Sequence, residues 1–172
     1  MIATAPSLRV EPMDRETAFW NKLADRYARR AVSDEAAYQE KLEVTRRYLQ
    51  PDMEVLEIAC GTGSTAIALA PFVRHIRATD LSTRMIEIAA DKAKSADIDN
   101  VTFEVAPADA LNVPDARIDA VLAHNILHLL ADRDAVIADI HRMLKPGGVL
   151  VSSTACVSDM MWPLRLIVPV GR

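Results

Sequence analysis

From Glu54 onward the chain alternates between two hydrophobic rhythms. "EVLEIA", "HIRATD", "VTFEVA", "RIDAVLAH" and "VLVSST" read as five buried strands. "STAIALAPF", "STRMIEIAADKAKSA" and "DRDAVIADIHRML" read as helices between them. In the last of these, Val136, Ile140 and Met143 fall on one face, as an amphipathic helix requires. Ser82 suits an N-cap. "KPGG" closes the last helix, with Lys145 in its final turn and Pro146 blocking continuation. Upstream, Phe19, Leu23 and Tyr27 recur at steps of four, and Tyr38, Leu42, Thr45 and Leu49 follow the i, i+4, i+7, i+11 pattern. Two amphipathic helices are therefore expected before Pro51 stops the second. Residues 1–13 hold Pro6, Pro12 and little periodicity, and read as a loose arm.

Strands that alternate with helices pair in parallel through right-handed crossovers, which predicts an α/β fold: a three-layer, doubly wound, mostly parallel sheet. A chain of 172 residues is enough for one such domain and its core. Ligands of these sheets sit at the carboxyl ends of the strands, at the switch point. The stretches that follow the strands there are 59–63, 80–81, 107–110 and 123–128.

Bulk properties narrow the partners. The net charge of −4 offers no basic face for nucleic-acid phosphates. Arg29-Arg30 and Arg46-Arg47 sit among acids on the expected helices and read as solvated faces. No run reaches the ~18 apolar residues of a membrane span. The apolar tail "MMWPLRLIVPV" is broken by Pro163, Arg165 and Pro169. The start of the chain lacks the pattern of a secretory signal, and Cys60 and Cys156 make no disulfide framework, so a cytoplasmic location is expected. No Cys, His and Asp set has metal-ligand spacing, so no metal is expected.

The chemistry starts at "VLEIACGTGSTAIALA". A strand that turns tightly into a helix needs residues without a bulky Cβ, and Gly61 and Gly63 meet that need. Bare backbone lets a ligand approach helix N–H groups that favour a carboxylate or phosphate. Asp80 ends the second strand, 19 residues after Gly61, where a carboxylate can accept from both hydroxyls of a ribose. The turn therefore reads as a nucleoside site. "GTGSTA" also satisfies G-x-G-x-x-A, so NAD competes as the cofactor, and glycines serving turn geometry alone are the plain alternative.

Four stretches together resemble the class I S-adenosylmethionine-dependent methyltransferases. "VLEIACGTG" resembles their first motif and "ATDLSTRMIEIA" their second. "VTFEVAPADALNVPDARIDAVLAHNILHLL" resembles the third and fourth, and "MLKPGGVLV" the approach to their fifth strand. The matches keep the family's order over about residues 54–154. The small-molecule, ubiquinone/menaquinone-methyltransferase-like group is the most similar branch, and "FWNKLADRYARR" resembles its helical cap. The resemblance implies strand order 3-2-1-4-5, a cap over residues 1–50 and a Rossmann-like cofactor domain over 51–172.

It also implies roles. Glu57 and the turn of Ala59, Cys60, Gly61, Thr62 and Gly63 would enclose the methionine part of S-adenosyl-L-methionine. Asp80 would take the ribose hydroxyls, with Leu81 on the adenine and Met85 lining its pocket. Asp109 would accept from the adenine amino group, with Ala108 and Ala110 alongside. His124 would approach the methionine amino end, and Tyr27 would close over the sulfonium, with Trp20 in the same lid. His128 is the candidate general base, since histidine titrates near neutrality; a packed histidine is the alternative. Two departures stand out. Ala59 replaces the family's usual glycine, which is tolerated if its φ is negative, and Ile118 replaces an aromatic before Asp119, itself read as structural.

The expected activity is methyl transfer to a small-molecule acceptor. The alternatives are an NAD-dependent oxidoreductase and a non-catalytic cofactor-binding module. Relatives carry a C-terminal 6/7 hairpin, whereas here "ACVSDMMWPLRLIVPVGR" alone follows "VLVSST". That leaves an expected exposed edge on the fifth strand, through which a homodimer would form or which the segment Met160–Val170 would cover.

Overall fold

The computed structural model describes residues 12–30 and 34–154, with side chains from residue 15 on. Residues 1–11, Cys156 and the segment Met160–Val170 lie outside the described residues. The elements run α1 (Pro12–Arg29), α2 (Glu35–Arg46), β1 (Glu54–Ile58), α3 (Ser64–Leu69), β2 (His75–Asp80), α4 (Thr83–Ser95), β3 (Val101–Val105), β4 (Ile118–His124), α5 (Arg133–Met143) and β5 (Leu144–Ser153).

All strand pairs are parallel, in the order β3-β2-β1-β4-β5. This is the doubly wound sheet expected from the alternation of strands and helices. Successive side chains leave opposite faces of a strand, and the two cores follow that period. Leu56, Ile58, Val121 and Ala123 meet Val136, Ile140 and Met143 of α5 on one face. Val55, Ala120 and Leu122 meet Ala66 and Leu69 of α3 on the other, with Leu42 of α2 and Ile86 of α4 packed beside them. Glu57 and His124 stand at the alternate positions that continue this second face.

Three expectations change. Pro12 and Met13, read as part of the arm, belong to α1, which begins at Pro12, where a fixed φ and a missing N–H suit the first helical residue. The stripe of α1 is not its buried face: Phe19 is 59% and Tyr27 53% exposed, while Ala24 is fully buried. A helix that touches its neighbour through alanine approaches closely and leaves its aromatics free. Lys145 does not serve the last turn of α5, since β5 begins directly after Met143. Its Nζ donates to both Asp119 oxygens at 2.8 Å, and the same carboxylate accepts the Glu54 N–H at 2.8 Å. Desolvation opposes ionisation of Asp119, but these donors hold its pKa below the usual carboxylate value. One side chain thus joins β1, β4 and β5 at the end of the sheet opposite the candidate site.

Candidate active site

The turn after β1 is wound through three left-handed residues, Ala59 (φ 53), Gly61 (φ 55) and Gly63 (φ 73). The negative φ expected of Ala59 is thereby corrected. The positive φ turns the chain off the strand so that the Cys60 N–H donates to Thr79 O on β2 at 2.9 Å. An L-residue pays about 1–2 kcal/mol for that conformation. The two glycines differ in what they admit. A Cβ on Gly63 would lie 2.7 Å from the Ala89 Cβ and 2.8 Å from the Phe103 ring. A Cβ on Gly61 would meet only Tyr27 Cε1, at 4.0 Å. Gly63 is thus bare for packing, whereas Gly61 presents open backbone beneath Tyr27.

Asp80 locks this turn. Its Oδ2 accepts the Gly61 N–H and its Oδ1 the Ser82 N–H, both at 2.9 Å. Burial raises its pKa and the two N–H donors oppose the rise. Helix α1 is latched beside it. Asn21 Oδ1 accepts from Ser82 Oγ at 2.7 Å and from the Arg84 N–H at 3.1 Å. Arg84 also pairs with Asp25 at 2.8 Å. Ser82 caps α4 as expected, accepting the Met85 N–H at 3.1 Å.

Beside the turn lies a cavity of about 370 Å³ lined by α1, α2, α3, α4 and the residue after β4. Tyr27, Cys60 and Thr62 line it together with Tyr38, Lys41, Thr65, Lys92 and Asn125. Lys92 Nζ donates to Thr62 Oγ1 at 2.9 Å and to Ser64 Oγ at 3.2 Å. Burial pushes the Cys60 thiol up, so it stays a neutral buried side chain.

Among the described residues, two buried side-chain polar atoms have no hydrogen-bond partner within the chain: Glu57 Oε2 and His124 Nε2. Glu57 is 3% exposed, and burial pushes its carboxyl up to about 8 against the opposing charge of Lys41. His124 is held at Nδ1 by Ser153 Oγ, 2.9 Å away, and burial pushes its pKa down to about 4. Unpaired buried polar atoms are rare and costly, so each calls for a partner from outside the chain, a water or a ligand group.

Other residues expected at the site are spread more widely. Leu81 is half-buried next to Asp80, and Met85 is 2% exposed. Ala108 packs against the α5-side core, while Asp109 and Ala110 are exposed in the turn after β3. His128 is exposed and lines a separate depression with Asp132 and Arg133 rather than the main cavity. The sequence reading missed Tyr38, Lys41, Thr65, Asn21 and Ser153. Lys41 flanks the packed stripe of α2, but a charge there is ordinary for an amphipathic helix, so no local signal marks it. Among the described residues no group of three or more His, Cys, Asp or Glu could hold a metal ion.

Comparison with known proteins gives consistent findings. The family described as a methyltransferase domain matches residues 55–148. The uncharacterized methyltransferase YcgJ of Bacillus subtilis is 29% identical over 140 residues, covering 79% of this chain and 53% of YcgJ. The demethylmenaquinone methyltransferase of Tropheryma whipplei is 32% identical over 119 residues, covering 69% of this chain and 46% of that protein. The crystal structure of the [4+2]-cyclase SpnF superposes with a TM-score of 0.67 at 29% identity, over 73% of this chain and 47% of SpnF. The chain spans about half the length of these relatives.

Proposed function

The chain belongs to the methyltransferase-domain family of class I S-adenosylmethionine-dependent methyltransferases, and from that premise we propose that it transfers a methyl group from S-adenosyl-L-methionine to a small-molecule acceptor in the cytoplasm. Membership of this family decides between the two cofactors that the glycine pattern left open. The observation that carries the reading is the turn itself: left-handed, gripped by Asp80, and bare at Gly61 under Tyr27. The unpaired Glu57 Oε2 and His124 Nε2 beside it fit a polar ligand end.

Bound S-adenosylmethionine would supply a methyl group already activated on a sulfonium, so the protein's task is to bind and align. Each Asp80 oxygen spends one lone pair on a backbone N–H and keeps another for a ribose hydroxyl. Tyr27 would present an aromatic face, which attracts a cation. The latch of Asn21 and Asp25 onto Ser82 and Arg84 would hold α1 over the bound cofactor and exclude water. Alignment of the acceptor in such a closed site contributes up to roughly 7–11 kcal/mol to a displacement of this kind.

Calorimetric titration with S-adenosylhomocysteine and NAD, followed by transfer of labelled methyl groups to an acceptor panel, tests the reading. Micromolar binding of S-adenosylhomocysteine and far weaker binding of NAD are expected. Asp80→Ala should weaken the former by about 1.5–3 kcal/mol, the scale of a hydrogen bond to a charged group. Unchanged affinity would remove Asp80 from the site. Tight cofactor binding without transfer to any acceptor would favour a protein that holds the cofactor without using its methyl group.

A further inference from the structure

We propose that the outward face of α1 docks on an anionic lipid surface, through a cationic stripe of Arg15, Lys22, Arg26 and Arg30 and the exposed ring of Phe19 among them.

The helix has two opposite faces. Thr17, Asn21, Ala24 and Ala28 recur at i, i+4, i+7 and i+11, are shielded from solvent, and include the fully buried Ala24 and the Asn21 latch to α4. Arg15, Phe19, Lys22, Arg26 and Arg30 recur with the same period on the other side, and all five are exposed. That stripe holds four cations and no acid. Among the described residues none of the four is in an ion pair. Asp25 does not neutralise them, because its carboxylate is bound to Arg84 at 2.8 Å. Glu16 is the one acid of the described α1 side chains left unpaired. The chain as a whole carries −4, so the stripe is a local reversal of sign that turns this face toward a negative surface.

Aromatic surface lies beside the charge. Phe19 and Tyr27 are exposed, and Trp20 and Leu23 are half-buried. The Phe19 and Trp20 rings meet edge to face with centroids 5.2 Å apart. A single exposed apolar side chain needs no explanation, but a strip of Phe, Trp and Leu running along a stripe of Lys and Arg is the composition of a helix that lies in the headgroup plane. The rings enter the acyl boundary while the cations meet lipid phosphates. Nucleic acid would engage the same cations and leave Phe19 in water. A second copy related by two-fold symmetry would set the cationic stripe against itself. The latch of Asn21 and Asp25 onto α4 holds the face in place, and Tyr27, Ala28 and Arg30 at its end line the cavity. Docking would therefore bring the cavity to the lipid surface.

The test is flotation of the full chain with vesicles of phosphatidylcholine alone and of phosphatidylcholine mixed with phosphatidylglycerol. Binding is expected to the mixed vesicles only. It should be lost as salt rises from about 0.1 M to about 1 M, where the screening length falls from about 10 Å to about 3 Å. Arg26→Glu should weaken binding about 25-fold, since it shifts two units of charge at about fivefold each. Arg26→Lys keeps the charge and should bind like the native chain. Phe19→Ser should weaken binding about tenfold by removing the inserted ring. Both side chains face solvent, so neither substitution disturbs the core. No binding to mixed vesicles, equal binding to both kinds, or undiminished binding by Arg26→Glu would each overturn the proposal. Tighter retention on duplex DNA than on the mixed vesicles would overturn it in favour of a nucleic-acid partner. Dimerisation in vesicle-free solution that Phe19→Ser abolishes would overturn it by burying the strip between two copies.

Discussion

Gly63→Ala is the sharpest single test of how the cofactor turn is built. Two costs combine. The residue has φ 73, where an alanine is disfavoured by about 1–2 kcal/mol. Its Cβ would also stand 2.7 Å from Ala89 Cβ and 2.8 Å from Phe103 Cε1, inside any real contact distance. Neither neighbour is the free end of a flexible chain, so α4 or β3 must shift, and overpacking of this kind costs roughly 1–3 kcal/mol. Loss of glycine from the unfolded chain returns about 0.4–1 kcal/mol. The net destabilisation is about 2–4 kcal/mol, or roughly 4–16 °C in Tm for a chain of this size. Gly61→Ala is the internal control. Its φ is 55, but its Cβ meets only Tyr27 at 4.0 Å, so about 0.5–1 kcal/mol is expected from strain alone. Urea unfolding with unchanged m-values measures both. Equal losses for the two variants, or a Gly63→Ala loss below about 1 kcal/mol, would show that contact with α4 and β3 does not explain why Gly63 is bare.

Further outcomes follow from the same site. Ala59→Gly should stabilise the chain by about 0.5–1 kcal/mol, because relief of a left-handed alanine exceeds the added freedom of the unfolded chain; a lowered urea midpoint would contradict the strain at φ 53. Glu57 titrates near 8 when folded and at 4.5 ordinarily, while His124 titrates near 4 against 6.5. Above pH 6.5 only the Glu57 difference remains between these two, the folded state binds the extra proton, and stability falls as pH rises through about 8. Lys41 and Asp80 are the charged groups acting on Glu57, the first opposing and the second adding to its shift. Thermal midpoints between those pH values should therefore drop for the native chain and stay level for Glu57→Gln; parallel slopes would remove Glu57 as the cause. Asn21→Ala removes the acceptor shared by Ser82 Oγ and the Arg84 N–H. Hydrogen exchange of α1 should speed up while β1 and β4 stay protected, and unchanged α1 exchange would mean that the latch does not hold the helix.

The architecture was legible in the sequence because it depends on short-range patterns. Buried parallel strands are largely apolar runs and their helices keep a 3.6-residue period, so "EVLEI" and "IDAVLAH" announce themselves, and "HIRATD" does so through its alternating Ile76 and Ala78. Gly61, Gly63 and Asp80 were legible for a similar reason, since a tight strand-to-helix turn and a strand-end carboxylate each leave a local mark. The cluster around Lys41 left none. Its members come from α2, β1, α3 and β4, and what distinguishes them is the absence of partners, a property of three-dimensional neighbours rather than of residue type. Lys41 in the sequence is one more charge on an amphipathic helix, and only burial against Thr65 and Tyr38 makes it unusual. The left-handed Ala59 was hidden in the same way. Alanine prefers negative φ, and the pairing of Cys60 with Thr79 across strands distant in sequence overrides that local preference. Local propensity is written residue by residue, whereas desolvation, unpaired atoms and imposed backbone strain exist only once the sheet has closed.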